Sequence, residues 1–239
     1  MKRNHFEGKS VVEHLKTARA KGALASAEIH GTEMPGHLSA AADAARETSV
    51  VLLLLWILLP SQPTLFFLFA AGFFLWKIGR SALLGWARLE RLHRVIEEER
   101  WEIEHQRQQE REELEALYQA KGLTGKLLDE TVSVMMADDN RLLRIMLEEE
   151  MGLTLEVYEH PLKQCVGAGI GVLFATALFA CGFFLFSGGP ILGAGLTIIL
   201  SSVIAAKLER NRRIEAIIWN LSTAGFTLGA AYFLKMIFP

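Results

Sequence analysis

The sequence predicts an all-α integral membrane protein: five transmembrane helices, with a cytosolic three-helix domain between the second and third. Three observations carry this. The 239-residue chain is 51% hydrophobic, yet its apolar residues are gathered into blocks. Between the second and third blocks lies a Glu-rich stretch, Arg91 to Leu153, whose apolar residues recur at helical spacing. The loop KLERNRR is strongly basic, whereas the turns PSQP and SGGP carry no charge. By the positive-inside rule the N-terminus, the insertion and KLERNRR face the cytoplasm, and the C-terminus lies outside or in a lumen. The expected organisation is a polar arm over residues 1–37, helices one and two over 38–90, the insertion over 91–153, and helices three to five over 160–239.

The arm, MKRNHFEGKSVVEHLKTARAKG onward, is polar and lacks the apolar core of a signal peptide, so it is expected to stay uncleaved. His5, His14, His30 and His37 are scattered through it, and HGTEMPGH brings His30, Glu33 and His37 near a Pro-Gly turn. Histidines in such an arm either face solvent or assist metal capture, and the first reading is the simpler one.

The first span has an apolar core, Val50 to Leu59, too short for a crossing that needs about 20 residues. The helix therefore extends back through LSAAADAARETS, taking Asp43, Arg46 and Glu47 to the membrane. Asp43 and Glu47 share a helix face. Either they face a bundle interior or a water-filled path, or Arg46 neutralises them at the headgroups. The second span starts near Thr64 and runs through Lys77 and Arg80 into the insertion with no breaker. The last three spans, about 161–186, 189–207 and 213–237, are rich in Gly and Ala, which suits close helix packing in lipid. Cys165 and Cys181 lie about 24 Å apart on one helix, beyond disulfide reach, and read as packing residues.

The insertion opens with RLHRVIEEERWEIEHQRQQEREELEALYQAKGL, which reads as one helix of roughly thirty residues stopped by Gly122. At 100° per residue, Glu99, Glu102, Glu110 and Glu113 fall within about 80° of one another. Such a stripe is either a solvated face paired with Arg100, Arg107 and Arg111, or a cation site. Two shorter helices follow, TGKLLDETVSVMMA and DDNRLLRIMLEEEMGL, the second with an Asp/Asn cap and a Gly152 stop. Leu127, Leu128, Val132, Leu142, Leu143 and Met146 are expected to pack on the long helix. Glu148, Glu149 and Glu150 crowd a helix C-terminus, where negative charge is disfavoured and a nearby metal would offset the cost. The near-neutral charge of −2 argues against nucleic acid as a partner.

These stretches resemble the vacuolar iron transporter (VIT) family, whose members export Fe2+ and Mn2+ from the cytosol. The strongest local likeness runs from WEIE through EREELEALYQAKGL to RIMLEEEMGL, and SVIAAKLERNRRIEAIIWNLSTAGFTLGAAYFL is similar to the family's last two spans. Anchored on Gly122 and Gly152, the resemblance implies metal-binding glutamates at Glu99, Glu102, Glu110, Glu113 and Glu150. The family's paired methionines fall on Met146 and Leu147, so one softer ligand is kept. The family's first span carries an Asp-Gly step that this chain lacks; Asp43, with Glu47 as a substitute, is the candidate for the translocation aspartate. Where the family's second span places a Met on the ion path, this chain has Trp76-Lys77-Ile78-Gly79, and a lysine there inhibits cation passage unless it points away.

The resemblance further implies a homodimer in a lipid bilayer, proton exchange, and no permanently bound cofactor, the transported ion being Fe2+ or Mn2+ with Zn2+ or Co2+ as substitutes. An enzyme is the weaker rival. Glu102-x-x-His105 looks like half of a ferritin-type di-iron site, and the insertion has no second Glu-x-x-His. The other rival is a membrane-anchored metal sensor or buffer that has lost transport.

Overall fold

The computed structural model describes residues 10–26, 35–60, 62–153 and 159–238. Every regular element among them is helical. In chain order they are α1 (Val11–Ser26), α2 (Gly36–Leu58), α3 (Pro63–His105), α4 (Arg107–Ala120), α5 (Gly125–Met136) and α6 (Asp139–Ile145). A π-helical turn (Met146–Glu150) follows, then α7 (Pro161–Leu185), α8 (Gly189–Leu208) and α9 (Arg213–Ile237). The chain divides into two compact units, one of residues 1–27 and 87–158, the other of 28–86 and 159–239. His5, His30 and Glu33 lie outside the described residues.

The unit of 28–86 and 159–239 is built on close backbone approach. A Cβ on Gly167 or Gly171 of α7 would stand 2.0 or 2.1 Å from the carbonyl oxygen of His37 or Ala41 on α2. Small residues alone let two helices meet at this distance, and the contact replaces the hydrophobic drive that lipid does not supply. Ala40, Ala44, Ala168 and Val172 fill the seam beside these glycines. The same device joins α7 to α8, where Gly182 and Gly189 face one another. Buried Thr48, Ser49, Thr197 and Ser202 return their hydroxyls to carbonyls four residues earlier within their own helices, so these four hydroxyls are satisfied without water. Lys235 near the end of α9 donates to the carbonyl of Ile57 at 2.6 Å, closing the C-terminal end of α2.

Among the described residues four helices, α3, α7, α8 and α9, are long and apolar enough to cross a membrane. α2 has the length of a crossing, 23 residues, but its charges at 43, 46 and 47 set it apart from those four. Cys165 is buried and Cys181 is exposed, so only the first is a packing residue.

In the unit of 1–27 and 87–158, the roughly thirty-residue helix expected after Arg91 is not one piece. α3 ends at His105, Gln106 takes a non-helical φ of −129° and ψ of 34°, and α4 begins at Arg107. No Gly or Pro marks the break. It is set by packing: Ile103 and Leu114, about 16 Å apart on a straight helix, share one buried cluster with Val132, Met136, Leu142 and Met146. Arg107 holds the corner from outside, donating to Asp139 at 2.6 Å and to the carbonyl of Met136.

The stops at Gly122 and Gly152 are as expected, with φ of +96° and +69°. The Asp138 side chain caps α6 through the Arg141 amide at 2.7 Å. Leu127, expected in the core, is 62% exposed; Val132, Leu142 and Met146 are buried as expected.

Helix α1 is the element that the polar arm conceals. Ser10 and Glu13 form a reciprocal capping box, Ser10 N to Glu13 Oε2 at 3.1 Å and Glu13 N to Ser10 Oγ at 3.3 Å. Ala18 joins a buried cluster with Leu92, Leu147, Met151 and Leu153. Gly22 lies against the backbone of Met151, where a Cβ would stand 2.1 Å from the carbonyl oxygen.

The glycine seam is directly testable. Gly171→Ala should lower the thermal midpoint of the detergent-solubilised protein by about 5 °C, reflecting an overpacking cost of about 1–3 kcal/mol. Gly229→Ala, with nothing within 4 Å of its Cβ, should leave it unchanged. Equal midpoints for the two variants would show that the seam does not hold α2 to α7.

Candidate metal centre

The break at Gln106 turns α4 off the line of α3, and carboxylates far apart in sequence meet. Glu99, Glu110, Glu113 and Glu150 are all buried, none more than 2% exposed, and Glu102 is half-buried beside them. The Glu110 carboxyl lies beside that of Glu99, and the Glu150 carboxyl beside that of Glu113. The fifth glutamate arrives through the π-helical turn. There the Met151 amide donates to the Met146 carbonyl at 3.2 Å, five residues back, and the Leu153 amide to the Leu147 carbonyl at 2.8 Å. The wider turn separates three adjacent glutamates: Glu150 goes inward, while Glu148 pairs with Arg144 and Glu149 with Lys121 on the outside.

Electrostatics follow from the burial. Loss of solvent, then the charges of Glu99, Glu113 and Glu102, push the Glu110 carboxyl up to about 10. Loss of solvent, then Glu113, Glu110 and Glu102, push Glu150 up to about 9. Glu99 is raised well above the usual range by burial first and by Glu150 second; the hydrogen bond from Glu110 offsets this in part. At neutral pH the metal-free cluster therefore holds protons, which a divalent cation would displace.

Of the arginines that might have neutralised a solvated stripe, Arg111 pairs with Glu115 and Arg107 with Asp139. Met146 is fully buried among Ile103, Leu114 and Leu142, so its side chain helps build the apolar floor. His105 stacks on Trp101 with centroids 4.6 Å apart, and its Nδ1 lies 2.9 Å from the Trp101 carbonyl. That places it on the indole, away from any di-iron-like pairing with Glu102.

One residue of the centre was given to solvent by the sequence. His14, on α1, puts Nε2 3.5 Å from Glu113 Oε1 and 3.9 Å from Glu150 Oε1. Ligand atoms of these three residues all lie within 4.8 Å of one another. The signal was present in the arm: the Ser10-x-x-Glu13 capping box starts a helix, and His14, Ala18 and Gly22, four apart, share its face.

In the other unit, Asp43 and Glu47 line a cavity of about 250 Å3 with Ala40, Lys77, Arg80, Ser81, Leu84 and Ala168. Asp43 is paired with Arg46 one turn along α2. Lys77 does not point away: its Nζ donates to Glu47 Oε2 at 2.7 Å. The cavity thus holds two carboxylates against two cations. At the start of α2 the His37 amide donates to Glu159 Oε2 at 2.7 Å, and its ring pairs with the same carboxylate.

Membrane-length helices together with a helical unit that carries a buried carboxylate cluster define a multi-pass membrane protein. Residues 87–236 match the model of the VIT family, and the chain belongs to that family, a family of membrane metal-ion transporters. The match covers the carboxylate cluster and α7 to α9 and begins after α2 and the first half of α3. No curated protein and no solved structure matches the chain.

The raised carboxyls set a pH dependence. Between the usual value of 4.5 and about 9 to 10, the folded cluster binds more protons than the unfolded chain does. This contribution to stability is fully present below pH 4.5 and is lost as pH rises through 9 to 10. The thermal midpoint of metal-free protein should therefore fall from pH 6 to pH 9, and saturating Mn2+ should flatten or reverse the fall. A metal-free midpoint that rises over that interval would contradict the assignment.

Proposed function

We propose that the protein is a divalent-metal transporter that moves Fe2+ or Mn2+ out of the cytosol in exchange for protons. The observation that carries this is the buried cluster of Glu99, Glu102, Glu110, Glu113 and Glu150. Hard oxygen donors in this number suit Fe2+ and Mn2+, with Zn2+ or Co2+ as substitutes, and Met146 is the candidate for a softer ligand. In this reading the cluster sits in a cytosolic domain and collects ions. α2 is a fifth span, and the C-terminus lies outside or in a lumen. The protein works as a homodimer in the bilayer. The ion passes Asp43 and Glu47, and a carboxylate in the membrane carries the returning proton.

One observation favours a second reading, a membrane-anchored metal sensor or buffer that no longer transports. Lys77 holds Glu47 in an ion pair where a cation would have to pass. A fixed ammonium there repels an incoming divalent ion unless the pair opens.

Two experiments separate the readings. Glu102→Ala or Glu113→Ala should weaken Fe2+ and Mn2+ binding about tenfold or more while the helical circular dichroism signal is kept; unchanged affinity in both variants would refute the site. Metal flux into proteoliposomes, with and without a proton gradient, should depend on Asp43 and Glu47, and Lys77→Met should raise it severalfold. Absence of flux in protein that still binds metal, with Lys77→Met equally inactive, would establish the sensor or buffer.

A further inference from the structure

Resting on the assignment of the carboxylate cluster as a metal site, we propose that His14 is a nitrogen ligand of that site, delivered by α1. It biases the centre toward Fe2+ and Co2+ over Mn2+ and Mg2+. The first argument is spacing. The Nε2 of His14 stands 3.5 Å from Glu113 Oε1 and 3.9 Å from Glu150 Oε1. Both separations exceed an ordinary hydrogen bond. They fall within the roughly 3.0–4.2 Å that separates two donors, from adjacent to opposed, around a divalent ion held at about 2.1 Å. The second argument is independent of His14. Glu99 is 1% exposed, its Oε1 has no hydrogen-bond partner among the described residues, and its nearest charges are Glu150, Glu102 and Glu113. A buried carboxylate oxygen left so, facing other carboxylates, points to a cation.

The third argument is that α1 is placed without His14. The capping box at Ser10 and Glu13 starts the helix, Ala18 packs against Leu147 and Met151, and Gly22 touches the Met151 backbone. Met151 directly follows the π-helical turn that aims Glu150 inward, so the segment that receives α1 also presents a ligand. His14 lies one turn before Ala18 on the same face and is only 20% exposed. The imidazole is thus brought to the cluster by the docking of α1 one and two turns further on, at Ala18 and Gly22.

The consequence is selectivity. An all-carboxylate site favours hard ions such as Mn2+ and Mg2+, whereas an imidazole ligand suits iron, cobalt and later metals. Replacing it should change the ratio of affinities between these classes rather than abolish binding.

The test is calorimetric titration of the purified full chain in detergent with Co2+ and with Mn2+, using wild type, His14→Ala and Glu113→Gln. The expected result for His14→Ala is Co2+ affinity reduced tenfold or more and Mn2+ affinity changed by less than about threefold. The retained Mn2+ binding also shows that the variant is folded. An unchanged ratio of the two affinities, whether both hold or both fall together, overturns the proposal and leaves His14 a packing residue. If Glu113→Gln still weakens both metals in that case, the cluster stands without His14. Wild-type protein that binds neither metal overturns the cluster and His14 together.

Discussion

The unit of residues 1–27 and 87–158 depends on one costly act, placing five carboxyl groups together with four of them out of water. In that setting all of the groups cannot be ionised at once, because each anion loses its hydration and faces the others across a medium that screens poorly. Protons answer this in the metal-free protein: burial and neighbouring charge raise Glu99, Glu110 and Glu150. A divalent cation answers the same repulsion without protons. On the proposed reading the cluster trades protons for metal by its construction, and the rest of the unit keeps it closed.

Two backbone features keep it so. The break at Gln106 brings the second glutamate pair to the first, and the apolar cluster of Ile103, Leu114, Val132, Leu142 and Met146 holds that bend. The π-helical turn selects Glu150 out of three consecutive glutamates and leaves Glu148 and Glu149 to surface arginine and lysine. Helix α1 then lies against the segment that follows the turn. In the membrane unit the problem is reversed: α2 brings charge into a helix seam, and the charges pair locally, Asp43 with Arg46 and Glu47 with Lys77.

How much of this could be read beforehand varies with the interaction range. Glycine stops, the Asp138 cap and the small-residue seams are local or compositional, so they were legible. The glutamates were found by a helical period that holds within each Glu-x-x-Glu pair. The straight helix assumed to align the pairs does not exist, since their convergence comes from the break at Gln106. That break has no Gly or Pro to announce it, because tertiary packing of Ile103 on Leu114 makes it. His14 was passed over because its arm looked polar and unstructured. Only the capping box and the four-residue recurrence of His14, Ala18 and Gly22 betray a docked helix, and neither names its partner. Lys77 was legible as an anomaly, while its pairing with Glu47, thirty residues away, is set by how α2 and α3 pack.

The most direct test of the account is the number of protons released when the site fills. Calorimetric titration of Mn2+ into the metal-free protein at pH 7, repeated in two buffers of different ionisation enthalpy, counts them. With Glu99, Glu110 and Glu150 raised by burial, the account predicts release of about two to three protons per bound ion. Binding with no proton release would mean that the carboxylates are already ionised, and would contradict a buried cluster that trades protons for metal.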